Sequence, residues 1–158
     1  MKTSEINCTE TLIEEPEVIK VPLITICNPA FERRSSNYMD IMRIVLTEDY
    51  TKIDFIHYPD KKYINGGWVQ IQRNMFIRTL GSKDKLTLLK AINIPIAPNK
   101  HWYKSVHECL YFTLLFPSIP KSTTHIDIIE IEGGDSTFFN FYGVSMNRVN
   151  SSVIRILN

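Results

Sequence analysis

Four histidines (His57, His101, His107, His125), three cysteines (Cys8, Cys27, Cys109) and scattered carboxylates are the groups in this chain with chemical potential. In a strand His107 and Cys109 would share a face, with His101 nearby in sequence, and that set could hold zinc. Structural zinc takes four ligands in compact pairs, and no second pair follows, so no metal is expected. Asp127 and Glu130 could act as an acid and a base, but an offset of three puts them on opposite faces of a strand. Glu130 and Glu132 share a face and Asp135 follows in a turn, a trio that suits calcium; solvated charges at a strand end are the simpler account. Gly143-Val144-Ser145-Met146-Asn147 opens like a Gly-x-Ser-x-Gly nucleophile elbow. It has Asn where the last glycine belongs, and no α/β surroundings to make the elbow's strand-to-helix turn. No catalytic, metal or cofactor site is assigned from these residues.

The aromatic residues offer binding rather than reaction. Tyr58, Tyr63 and Trp68 bracket the basic loop PDKKYINGG, and Trp102-Tyr103 stands beside Lys100 and His101. Such groups stack bases or sugars and also anchor protein interfaces. Lys and Arg total 18 against 17 Asp and Glu, a net charge of +1, whereas a backbone-binding domain carries a basic surplus. Nucleic acid is therefore not the expected partner. Tyr58, Tyr63, Trp68, Trp102 and Tyr103 are read as a candidate interaction surface for a protein partner, on a non-catalytic accessory or protein-interaction module. A small-ligand or carbohydrate site is the alternative, and an enzyme of unrecognised type the third reading.

The elements that must position these side chains are strands. Ile occurs 22 times and Ala three times among 158 residues, a balance that fits pleated surfaces better than helices. Residues 18–27 read as an extended run interrupted by Pro22, and 28–37 as a loop. Ile41 to Thr47 and Lys52 to Tyr58 read as a hairpin. Further strands are expected over Trp68 to Gln72, Met75 to Leu80, part of 85–93, Glu108 to Phe116, His125 to Ile131 and Thr137 to Met146. Pro117 and Pro120 end the longest of these. Gly143 permits a bulge or a close backbone approach. Asp127 and Glu130 are placed to accept hydrogen bonds from loop amides or to pair with basic residues, and Cys109 is expected to be a small buried hydrophobe. The sum is an all-β fold, an antiparallel β-sandwich of immunoglobulin-like kind with about eight short strands. It occupies residues 17–147, between a flexible arm (1–16) and a tail (148–158).

Apolar residues make up 44% of the chain, yet no run approaches the roughly 20 needed to span a bilayer, so no membrane partner is expected. The first residues, MKTSEINCTETLIEEPE, lack a signal-peptide hydrophobic region. This reads as cytoplasmic if residue 1 is the natural start, and as periplasmic or envelope if it is not.

Several segments taken together resemble the β-rich domain that precedes the thioredoxin-like domain in certain bacterial thiol–disulfide proteins. They are Asn28-Pro29-Ala30, Ile44-Val45-Leu46-Thr47-Glu48 leading through Thr51, and Trp68-Val69-Gln70-Ile71. The more specific part is Phe116-Pro117-Ser118-Ile119-Pro120, continued by Thr123-Thr124-His125-Ile126-Asp127-Ile128-Ile129-Glu130. Phe139-Asn140-Phe141-Tyr142-Gly143-Val144 closes the match, which spans roughly residues 26 to 146. The Cys-x-x-Cys of that redox partner domain does not occur in this sequence. The resemblance implies a sandwich fold and an accessory role, and it passes on no catalytic residue.

Overall fold

Alternation of buried and outward side chains governs residues 24–147, the part of the chain that a computed structural model describes. Twelve strands form among these residues: β1 (Ile24–Cys27), β2 (Arg33–Arg34), β3 (Met39–Leu46), β4 (Tyr50–His57), β5 (Trp68–Val69), β6 (Phe76–Thr79), β7 (Leu86–Thr87), β8 (Lys90–Ile92), β9 (His101–Trp102), β10 (Leu110–Pro117), β11 (His125–Ile129) and β12 (Phe141–Ser145). No helix occurs among the described residues. One five-stranded sheet has the order β1-β3-β4-β10-β8, a second the order β2-β12-β11-β6-β7, and β5 with β9 makes a two-stranded ribbon. All pairings between named strands are antiparallel, and neither large sheet closes on itself.

The predicted hairpin is present. Thr47 turns it: its N–H donates to the carbonyl of Tyr50 (3.0 Å), and its Oγ1 accepts the N–H groups of Asp49 and Tyr50 at 3.2 and 3.1 Å. Such side-chain capture of turn amides is what Thr supplies at a strand end. In β10 the side chains of Leu110, Phe112, Leu114 and Phe116 go inward while Tyr111 is exposed. Phe55 of β4 stacks on Phe112 with centroids 5.2 Å apart, and meets Phe141 of the second sheet at 6.2 Å. This aromatic contact, with Ile44, Ile53, Ile77, Ile126 and Ile128 around it, joins the two sheets in one core.

Gly143 serves as expected. The β11–β12 register slips between Ile126 and Ile128, leaving a bulge in which Gly143 has φ +65° and its N–H donates to Asp127 Oδ1 at 2.9 Å. Pro117 ends β10, and its carbonyl accepts the Thr51 hydroxyl at 2.9 Å.

Other expectations need correction. More strands form than eight, because residues 28–37 contain β2, residues 85–93 divide into β7 and β8, one in each large sheet, and His101–Trp102, not expected as strand, forms β9. Thr137 to Asn140 is not strand. Asp135 Oδ1 takes both the N–H and the hydroxyl of Thr137, at 2.9 and 2.6 Å, and the chain stays in a turn until Phe141. Cys109 is exposed, since it precedes β10 on the parity of outward Tyr111. Gly143 to Ser145 lies inside β12, away from any strand-to-helix turn. The expected arm (1–16), the start of the first extended run (18–23), Cys8 and the tail (148–158) lie outside the described residues.

Candidate functional site

The ribbon is what gathers the aromatic residues. β5 and β9 pair with Trp68 directly opposite Trp102, so both indoles project from one face while Val69 turns inward. Trp68 and Trp102 are 44% and 64% exposed, their ring centroids 6.3 Å apart and tilted by 56°. Lys100 Nζ lies 4.8 Å from the Trp68 ring. Just past Val69 the chain is tied down: Ile71, wholly buried, bridges to Ile96, donating its N–H to the Pro95 carbonyl and accepting from Ala97.

Trp68 and Trp102 stand at a cleft of about 810 Å³. Its walls come from the ribbon, the loop carrying Asp60, Tyr63 and Asn65, and the turn Ser136 to Phe139. The Tyr63 ring is held over Gly67, where a Cβ would come within 3.1 Å of it. Asp60 organises its own loop by accepting the Lys62 N–H at 2.9 Å and the Lys62 ammonium at 3.6 Å. Burial raises the Asp60 carboxyl, but the Lys62 N–H, the Tyr38 hydroxyl and the Lys62 charge outweigh it and hold Asp60 below the usual range. The same hydrogen bond to Asp60 raises the Tyr38 hydroxyl.

The cleft floor is made of buried polar groups that satisfy one another. His57 and Tyr103 are 5% and 4% exposed. Tyr103 donates its hydroxyl to the His57 carbonyl (3.1 Å), while His57 Nδ1 lies 2.7 Å from the same hydroxyl oxygen. One phenolic proton cannot serve both contacts, so Nδ1 carries the imidazole proton and donates. Burial, helped by the charge of His101, pushes His57 down to about 4, which keeps the ring neutral. Burial likewise raises the Tyr103 phenol. Glu130, 4% exposed, accepts the Phe139 N–H on Oε1 at 2.8 Å and the Gln72 N–H on Oε2 at 3.0 Å. Burial pushes this carboxyl up to about 7 against the downward pull of those two amides. Behind the floor the wholly buried Asn140 ties down the chain at Glu130, its Oδ1 accepting the Glu130 N–H at 2.8 Å and its Nδ2 donating to the Ile131 carbonyl at 2.8 Å.

The sequence-predicted surface is therefore brought together in large part. Tyr63, Trp68, Trp102 and Tyr103 all line the cleft. Tyr103, expected in an exposed loop, is buried as a floor residue because its hydroxyl is taken by His57. Tyr58 does not line the cleft: its hydroxyl donates to Asp40 at 3.0 Å and its N–H to the Tyr38 carbonyl at 2.8 Å.

The other candidates separate. Glu130 and Glu132 part company because β11 ends at Ile129. Glu130 enters the floor, whereas Glu132 joins Asp127 on Arg78, at 3.4 and 3.3 Å. Asp135 is engaged by Thr137. His107 and Cys109 are exposed, and no group of three His, Cys, Asp or Glu able to hold a metal occurs among the described residues. Of the floor residues, Gln72 carried no signal as a site residue, and His57 stood out only as one of four histidines. Glu130 carried a signal, being a carboxylate directly after Ile128-Ile129 and before Ile131. Compared with protein-family models, with curated proteins and with solved structures, the chain gives no match.

Proposed function

We propose that this chain is a non-catalytic binding module, an immunoglobulin-like β-sandwich whose two large sheets hold a recognition cleft rigid at the ribbon. The observation that carries this reading is the pair of exposed tryptophans, Trp68 and Trp102, standing over a buried, hydrogen-bonded floor at a cleft of about 810 Å³. That volume lies in the range of ligand pockets, about 300–1,000 Å³, which combine aromatic walls with a few placed polar groups. Exposed indoles cost solvation, and large exposed aromatics on a concave surface suit recognition. The state of the titratable groups supports binding without chemistry. His57 is tied through Nδ1 to Tyr103, and Glu130 is tied through both oxygens to backbone amides, so neither is paired with a nucleophile. An accessory role also agrees with the resemblance to the β-rich domains of thiol–disulfide proteins.

Proton–nitrogen correlation spectra, recorded with a mixture of oligosaccharides, extended peptides and nucleotides, test the proposal. The two indole N–H signals and the amides of residues 60–68, 102–103 and 136–139 are expected to shift, with no component of the mixture consumed. Shifts confined to other regions, such as that around Arg78 and Tyr142, would refute the cleft as the site.

A further inference from the structure

We propose that the cleft takes an uncharged carbohydrate, a short oligosaccharide stacked on the ribbon tryptophans; the inference rests on the cleft being the recognition site. The wall chemistry is of two kinds. Tyr63, Trp68 and Trp102 present flat aromatic surface, which matches the C–H faces of a pyranose ring. Asn65, Gln70 and Gln72 supply side-chain amides, each both donor and acceptor, as a ring of hydroxyl groups requires.

Charge in the cleft argues against an ionic ligand. Lys62 and Asp60 neutralise each other at 3.6 Å, and the Glu130 carboxylate is consumed by two amides. The cations at the cleft each already face a partner, Lys62 the Asp60 carboxylate and Lys100 the Trp68 ring, and no arginine fork among the described residues lines it to grip a phosphate or a carboxylate. Backbone accounting argues against a peptide strand along the wall made by Gln72, Glu130 and Phe139. An extended peptide adds to an edge through free main-chain N–H and carbonyl groups. Here the Gln72 and Phe139 N–H groups are both capped by Glu130, and those of Glu130 and Ile131 by Asn140 Oδ1. Along that wall, recognition falls to side-chain amide, hydroxyl and aromatic surface.

Gln70 adds an independent observation. Its Oε1 is buried in the cleft wall and has no hydrogen-bond partner among the described residues. An unsatisfied buried acceptor destabilises the free protein. A ligand hydroxyl brought within reach of that oxygen would donate to it and relieve the penalty on binding.

Both tryptophans of the chain sit on the ribbon, so intrinsic emission reads the cleft directly. Malto-, cello-, xylo- and mannohexaose are the neutral probes, with an oligogalacturonate and a pool of extended octapeptides as competitors of other chemistry. A saturable emission change with at least one neutral hexaose is expected and supports the proposal. Calorimetry with that sugar is expected to show binding weakened about tenfold by Trp68→Ala and by Trp102→Ala. Gln70→Met is expected to weaken it about fivefold while leaving the unfolding midpoint unchanged or raised, a split that a purely structural role would not give. Full affinity in Gln70→Met, or saturation by none of the four neutral sugars, would overturn the carbohydrate assignment. Saturation by the peptides or the oligogalacturonate alone would overturn it and leave the binding cleft standing. Silence from every class would remove both.

Discussion

Burial acts on Glu130 and His57 in opposite senses, and the consequence for stability can be worked out group by group. Glu130 moves from an ordinary 4.5 up to about 7. Between those values the unfolded chain has released a proton that the folded chain keeps, so this contribution is complete below pH 4.5 and is lost as pH rises to about 7. His57 moves from 6.5 down to about 4. There the unfolded chain binds a proton that the folded chain refuses, so its contribution is complete above pH 6.5 and is lost as pH falls to about 4. Each effect is on the order of 3 kcal/mol, and between about pH 4.5 and 6.5 the two slopes oppose each other. Glu130→Gln removes the falling slope, so relative to the parent its stability is expected to improve as pH rises from 4.5 to 7. His57→Gln is expected to show the reverse, losing ground to the parent as pH rises from 4 to 6.5. Urea unfolding at pH 4.5, 5.5, 6.5 and 7.5 reads both differences; parallel profiles for parent and variants would show that neither group is held as described.

Alternation is strong wherever one face of a strand meets the core, and there the sequence is readable. Leu110, Phe112, Leu114 and Phe116 announce β10 and its inward face, and the apolar runs on either side of Glu48-Asp49 announce the β3–β4 hairpin, although β4 already begins at Tyr50, two residues before Lys52. Where a side chain distant in sequence supplies the hydrogen bonds, the local pattern misleads. Thr137-Phe138-Phe139-Asn140 has the composition of a strand. Yet Glu130 takes the Phe139 amide, and Ser35 Oγ, from about a hundred residues away, takes the amide of Asn140 and donates to the carbonyl of Phe138. Those partners exist only once the fold is made. The loop that carries Tyr63 shows how little freedom such connections have. Gly66 has φ +97°, and a Cβ there would stand 2.4 Å from Pro59 Cβ. Gly81 has φ +87° with nothing within 4 Å. Both glycines relieve the same kind of backbone strain, about 1–2 kcal/mol for an ordinary residue, so a paired substitution isolates the contact. Gly66→Ala is expected to cost about 1–3 kcal/mol more than Gly81→Ala, and to weaken ligand binding by pushing Pro59 and the loop that carries Tyr63 off Tyr103. Equal losses in chemical denaturation would mean that the Pro59 contact yields freely.

At the scale of the molecule, the cleft depends on segments that meet only through the crossings between sheets. The chain leaves β4, forms one strand of the ribbon, passes through β6, β7 and β8, and returns for the other strand at His101. No periodicity in the sequence says that Trp68 and Trp102 will face each other, although their exposure was legible from their basic surroundings. The ribbon has only two residues in each strand, too little pairing to stand alone. It draws its stability from Val69, Ile71 and Tyr103 sunk into the shared core and from the Tyr103–His57 contact. It should therefore unfold with the sheets rather than ahead of them. Tryptophan emission, which reports the ribbon, and far-ultraviolet dichroism, which reports both sheets, are expected to give coincident urea transitions. Phe141→Ala cuts the aromatic bridge to Phe55 between the two large sheets, in strands other than those that carry the indoles. It is expected to lower the stability read by both signals together, by about 3–5 kcal/mol. A tryptophan transition that precedes the dichroism change, or one left untouched by Phe141→Ala, would show the ribbon to be a separately melting unit and the cleft to lack the rigid wall that recognition requires.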